Sequence, residues 1–235
     1  MGPAIALVGT VAVSVFGVSS WILFFPFVFY YFFVPFLDFL IGEDISNPPE
    51  SSIEALEADA YYRWITYATI PILWIAVIFN CIFLCTFSLT TLEWVATVMA
   101  TGSVLGFGLN VSHELGHKLQ TVPRKIALFN TALGAYGHFS IEHNRGHHRH
   151  VSTPEDPASS KMGENIYQFA CREMPGAALR AWRLEADRLQ RQNKSVWHFE
   201  NEILQALCLT SLIYGTLIGL YGLDMVIVLI PVAIW

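Results

Sequence analysis

Seven of the eight histidines fall between residues 113 and 150. The stretch opens H-E-L-G-H, with His113 and His117, and closes E-H-N-R-G-H-H-R-H, with His143, His147, His148 and His150. Neutral imidazole nitrogens suit iron, copper, nickel and zinc. Residues four apart share one face of a helix, so His113 and His117 can clamp one ion. His143 and His147 repeat that spacing, with His148 beside them. The competing account is satisfied histidines packed at a membrane interface. Two spaced sets are hard to explain that way, because nothing else in the chain makes imidazole cheap to bury.

HELGH also fits HExxH, in which two histidines hold zinc and Glu114 is the general base of a metalloprotease, sometimes on a membrane helix. Such a protease needs one further ligand, whereas this chain offers three more histidines in the second set. A histidine-rich, carboxylate-poor set fits a pair of metal ions better. Glu114 and Glu142 each adjoin a candidate ligand, and an adjacent carboxylate can orient an imidazole by accepting its other ring N–H. The alternative for each is an interfacial charge paired with Lys118 or Arg145.

The elements that carry these residues belong to a membrane. Hydrophobic residues make up 54% of the chain and charged residues 14%, with a mean hydropathy of +0.48, which excludes an ordinary soluble domain. A net charge of −6 leaves no footprint for nucleic acid. Cys81 and Cys85 at helical spacing, with Cys171 and Cys208 isolated, form neither a disulfide framework nor a CxxC knuckle.

Residues 3–41 are too long an apolar run for one span across a ~30 Å core, so two helices are expected with a break at 18–21. Residues 42–62 form an acidic loop with a turn at 47–49 and a short helix capped from Ser51 and Ser52. Two further spans follow at 63–86 and 92–111. The 14-residue apolar segment 126–139 is short for a crossing and reads as re-entrant or interfacial, which leaves both histidine sets on one side. Residues 166–192 read as a surface amphipathic helix interrupted at Pro175 and Gly176. A fifth span runs over 203–219, and a sixth starts near Asp224 and reaches only Trp235. With the N-terminus cytoplasmic, all 13 basic residues lie on the cytoplasmic side with the histidines, as the positive-inside rule requires.

Gly102, Gly106, Asn110, His113 and His117 are spaced by four, four, three and four residues, so they form one stripe on the fourth span. The stripe is either a GxxxG packing surface or the floor of an apolar channel ending at the metal. If the stripe is a packing surface, the channel lies elsewhere, against Tyr30 and Phe33 of the second span. Gly102 stands ~16 Å from His113 along the axis, comparable with an extended medium-length alkyl chain.

HELGHK at 113–118, YGHFSIEHNRGHHRHVSTPEDPASSKMGE at 136–164, NEILQ at 201–205 and GEDISNPPE at 42–50 resemble the membrane alkane 1-monooxygenases over nearly the whole chain. The HxxxHH form of the second set separates it from the fatty-acid desaturases, which remain an alternative beside the zinc protease. The resemblance implies an all-α, six-helix membrane bundle in a bacterial inner (cytoplasmic) membrane, with the metal site facing the cytoplasm. It implies two non-haem iron ions, O2 as oxidant, n-alkanes as substrates hydroxylated at the terminal carbon, and electrons from rubredoxin and its NAD(P)H-dependent reductase. It assigns His113, His117, His143, His147 and His148 as ligands, while His138 is left to support or packing and His150 to the surface. Arg180, Arg183, Arg188, Arg191 and Lys194 either attract an acidic rubredoxin or anchor the segment to anionic headgroups. The family supplies further histidine boxes after the sixth helix. The 235 residues are therefore expected to be one hydroxylase domain, incomplete at its C-terminus and inactive alone.

Overall fold

The computed structural model describes residues 2–43 and 46–235, apart from the side chain of Glu57. Two residues of the GEDISNPPE stretch, 44 and 45, lie outside the described residues. Every regular element among the described residues is helical. The chain divides into two compact units, residues 1–108 with 217–235, and residues 109–216.

In the first unit, α1 (Gly2–Phe16) ends where Gly17 takes a φ of +61°, a left-handed conformation that glycine adopts without a Cβ penalty. The chain re-enters a helix at α2 (Ser20–Ile41), which places the break where the sequence suggests it. A π-turn at Phe29–Phe33 precedes Pro35, whose ring has no N–H for the preceding turn. Gly9 lets the backbone of residue 22 approach, since a Cβ there would stand 2.8 Å from the Ile22 carbonyl oxygen. Then come α3 (Glu50–Ala58), α4 (Ala60–Thr86) and the start of α5 (Thr91–Gly116). Pro49 occupies the N-cap of α3 without a side-chain cap, so the expected serine cap does not form. Asn80, fully buried on α4, accepts from Thr10 Oγ1 at 2.7 Å and donates to Thr101 Oγ1 at 3.1 Å and the Ala6 carbonyl at 3.3 Å. One amide thereby pins α1, α4 and α5, as apolar spans require for any polar group they bury.

The second unit holds residues 109–116 of α5, then α6 (Thr121–Ala132), a helical run α7 at 139–150, α8 (Ile166–Arg191) and most of α9 (Glu202–Tyr221). At 12 residues α6 is ~18 Å long, too short to cross a ~30 Å core. Buried Asn130 Nδ2 donates to Ser112 Oγ at 2.9 Å, and Thr210 Oγ1 donates to the Ala132 carbonyl at 2.7 Å, so α5 and α9 are each tied to α6. Asn165 and Gln168 form a capping box at the start of α8.

Helix α8 is continuous through Pro175, contrary to the expected interruption. Arg172 and Glu173 on one side of the proline and Arg180 on the other all have partners elsewhere in the unit, and these outweigh one lost backbone bond. Nor does it lie free on a surface. Ala177, Ala181, Glu185 and Leu189 form a buried stripe, with Ala181 packed into a cluster with Ile141 and Ile203.

Helices α2, α4, α5 and α9 are long and apolar enough to cross a membrane, and α1 and α10 (Asp224–Ile234) are shorter apolar helices. The turn leading into α7 depends on Gly137, where an added Cβ would fall 2.1 Å from Ala206 Cβ. Gly137→Ala should destabilise the protein by ~1–3 kcal/mol through overpacking. Gly106→Ala, at a position open to at least 4 Å, should not. Thermal unfolding in detergent compares the two.

Candidate metal centre

His113 sits in the last helical turn of α5, and His117 directly follows that helix, its N–H reaching the His113 carbonyl at 3.2 Å. The two Nε2 atoms face each other at 3.1 Å, the expected four-residue clamp. In α7 the spacing works differently. Residues His143–His147 form a π-turn, and the His148 N–H reaches the His143 carbonyl five residues back. A widened turn brings residues five apart onto one face. His148 Nε2 therefore meets His143 Nε2 at 3.0 Å, where α-helical spacing had suggested His147 as the partner.

One ring nitrogen from each of His113, His117, His143 and His148 lies within 4.8 Å of all the others. Metal–nitrogen bonds of ~2.1 Å meeting at right angles place adjacent nitrogens ~3.0 Å apart, which the two close pairs match. Burial, reinforced by the rings of His113, His148, His117 and His147, pushes His143 down to about 4. Burial and the His113 and His148 rings also lower His117. Neutral rings with lone pairs turned inward are the form that binds a cation, so the donor set fits a metal ion. Phe139 stacks on His143 with centroids 5.0 Å apart, covering one side with an apolar face.

His147 stands outside this four-nitrogen group. Its Nδ1 donates to Asp156 Oδ2 at 2.8 Å, which fixes the tautomer and leaves the Nε2 lone pair available to a metal. Asp156 is 2% exposed. Burial alone would raise its pKa, but bonds from Ser159, Arg180, His147 and the Ala158 N–H prevail and hold it at about 2. A cleft of about 900 Å³ between the 151–161 loop and α8 has His147, Asp156, Arg172 and Arg183 in its lining.

Glu114 accepts from His113 Nδ1 at 3.2 Å, although its side chain is 72% exposed. Glu142 pairs with Arg180, so its partner is neither a histidine nor Arg145. Arg145 instead donates to buried Glu185 at 2.8 Å and lies 3.5 Å from Glu202. His138 packs against Tyr136 at 4.6 Å, its buried Nε2 without a hydrogen-bond partner among the described residues. His150 Nδ1 bonds the Gly146 carbonyl. Gly106 and Asn110 are exposed, whereas the Cβ position of Gly102 is filled by the Trp235 side chain at 2.7 Å. Tyr30 lies against Phe107 at 5.3 Å, and Phe33 is 47% exposed.

The basic residues of α8 and beyond are less available than their sequence suggests. Arg188 is bound to Glu185, Lys194 to Glu200, and Arg180 to Glu142 and Asp156, while Arg183 and Arg191 are exposed. Asp156 and Arg180 are the site residues that sequence reasoning misses. Asp156 had a signal, as an acidic residue nine positions past His147. Arg180 had none, since its partners lie 24 and 38 residues away. Asp156→Ala should weaken metal binding by ~10–100-fold by releasing His147. Competition against a chelator in the purified protein measures this, and unchanged affinity would detach Asp156 from the centre.

Residues 88–235 match the fatty acid desaturase family. The chain is 45% identical to alkane 1-monooxygenase 1 of Alcanivorax borkumensis over 98% of its own length and 56% of that protein's. It is 46% identical to the alkane 1-monooxygenase of Pseudomonas putida, over 90% of this chain and 53% of that one. The xylene/toluene monooxygenase hydroxylase component of Pseudomonas putida is 32% identical over 48% of this chain and 31% of its own. The chain thus spans about half the length of the alkane monooxygenases it matches.

Proposed function

This chain belongs to the fatty acid desaturase family, and from that premise we propose that it forms part of a membrane monooxygenase that hydroxylates the terminal carbon of n-alkanes with O2. The observation that carries the reading is the convergence of four histidine nitrogens, in a chain 45–46% identical to two alkane 1-monooxygenases. His113, His117, His143 and His148 would hold one non-haem iron, and His147, turned to Asp156, would serve a second. Bound iron supplies the activation of O2 that no side chain provides.

The protein's own residues orient and shield. Asp156 and Glu114 accept the Nδ1 protons of His147 and His113, which keeps their Nε2 lone pairs available. Phe139 limits water beside His143. An alkane offers no polar handle, so recognition must come from an apolar channel and selectivity from where it is blocked. The open position beside Gly106, near Tyr30 and Phe107, suits the alkyl chain. Gly102, closed by Trp235, would mark a packed stretch of the same helix face.

In the membrane, α1, α2, α4, α5, α9 and α10 would make six helices of a bacterial inner-membrane protein. The links near Ser20, at 87–91 and at 220–223, which would fall on the far side, carry no Lys or Arg, and this supports a cytoplasmic metal site. Electrons would come from rubredoxin and its NAD(P)H-dependent reductase.

The intact protein should carry about two iron ions per chain by the logic of a dimetal site. It should convert octane to 1-octanol with rubredoxin and reductase, and His113→Ala or His148→Ala should abolish turnover while leaving membrane insertion intact. Recovery of one zinc with peptidase activity would overturn the reading. Gly106→Leu should keep its iron and hydroxylate short alkanes while losing long ones. Equal loss across all chain lengths, measured by product chromatography, would remove Gly106 from the channel.

A further inference from the structure

One guanidinium from α8 touches the residues before, inside and beyond the π-turn that carries the second histidine set. The Arg180 side chain is 14% exposed. It pairs with Glu142, which directly precedes His143, and donates to Asp156 Oδ1 at 2.7 Å and to the Glu155 carbonyl at 3.0 Å. The other oxygen of Asp156 accepts from His147 Nδ1. Between these two anchors the guanidinium lies over Gly146, where a Cβ would come within 2.7 Å of Nε.

We propose that Arg180 is the positioning residue of the centre. By bridging Glu142 and Asp156 across Gly146, it holds the turn in the register that faces His148 toward His143 and turns His147 away to Asp156. This rests on the iron reading above. Glu142 and Asp156 are 3% and 2% exposed, and two buried carboxylates without a shared cation are strongly unfavourable. Removing the cation therefore drives apart the two segments that define the register. In a regular α-helix, residues are ~100° apart, so a residue five positions on lies ~140° around the axis. If the turn relaxes that way, His148 leaves His143, and His147 takes its place. The forked guanidinium reaches both carboxylates and the Glu155 carbonyl at once, which the single ammonium of lysine cannot do.

The test uses the intact protein with Arg180→Gln, Arg180→Lys and Gly146→Ala, compared with Asp187→Asn on an exposed position of the same helix. Gly146→Ala displaces the guanidinium without removing a charge, so it guards against misfolding of the Arg180 variants. Three readouts are taken: iron per chain, the visible spectrum after loading with Co(II), and hydrogen exchange of residues 143–150 in metal-free protein. The expected result for both Arg180 variants is a fall from about two iron ions to about one, as a split dimetal site predicts. It is accompanied by an altered Co(II) ligand-field spectrum and faster exchange at 143–150. Gly146→Ala should shift the spectrum in the same direction, and Asp187→Asn should match the wild type in all three. Wild-type spectra and exchange in the Arg180 variants and Gly146→Ala would overturn the proposal. A wild-type protein that binds no iron would instead overturn the iron reading, and the metal-free exchange data would still decide the role of Arg180.

Discussion

Imidazole nitrogens held 3.0–3.1 Å apart in two pairs and gathered within 4.8 Å repel one another unless something positive lies between them or protons are shared. Such a group persists only if the backbones carrying it are fixed from outside. Much of the second unit serves that purpose. Helix α5 supplies its C-terminal end, α7 supplies a π-turn, and α8 braces the latter with buried Glu185 and with Arg180, while α9 adds partly exposed Glu202 beside Arg145. Glu185 is fully buried yet held below the ordinary carboxylate range. Burial opposes this, but bonds from Arg188 and the Glu202 N–H, with the Arg145 charge, outweigh it. A carboxylate buried this deeply is tolerated only with such partners, so the ion pairs here are conditions for the site's geometry more than sources of stability.

The same logic explains why α8 passes through Pro175 without a break. Its N-terminal half is held by Arg172, which grips Glu164 and the carbonyls of Pro157 and Ser159. Its C-terminal half is held by Arg180 and Glu185. Gly176 lies against Pro157, where a Cβ would meet the ring at 2.8 Å. The helix is thereby tied to the loop that carries Asp156, and the loop is tied to His147. A segment that resembles an independent surface helix is structurally the back wall of the metal centre.

The first unit solves a different problem. Its helices are apolar almost throughout, and in lipid apolar surfaces give little drive for one helix to prefer another. Discrimination falls to a few polar and small residues. Asn80 with Thr10 and Thr101 fixes three helices against each other, and Gly9 permits the close entry of residue 22. Gly102 and Gly106 share one face of α5 yet differ sharply, one capped by Trp235 and the other open. Identical residues at a regular spacing thus carry no single meaning.

What the sequence determines by itself follows from short-range rules. Apolar run lengths locate the long helices, Gly17 and the serines after it end the first, and two histidines four apart on a continuous helix must share a face. The pairing of His143 with His148 is of another kind. In isolation HNRGHH reads as α-helix, and the three-residue gap appears to pair His143 with His147. The widened turn is held by Arg180, Glu142 and Asp156, which are brought together from positions as much as 38 residues apart. No local periodicity encodes a contact of that span. Only the packing of α8 against α7 places the charge where it selects which histidine faces the others, because an arginine distant in sequence acquires its partner only once the chain has folded.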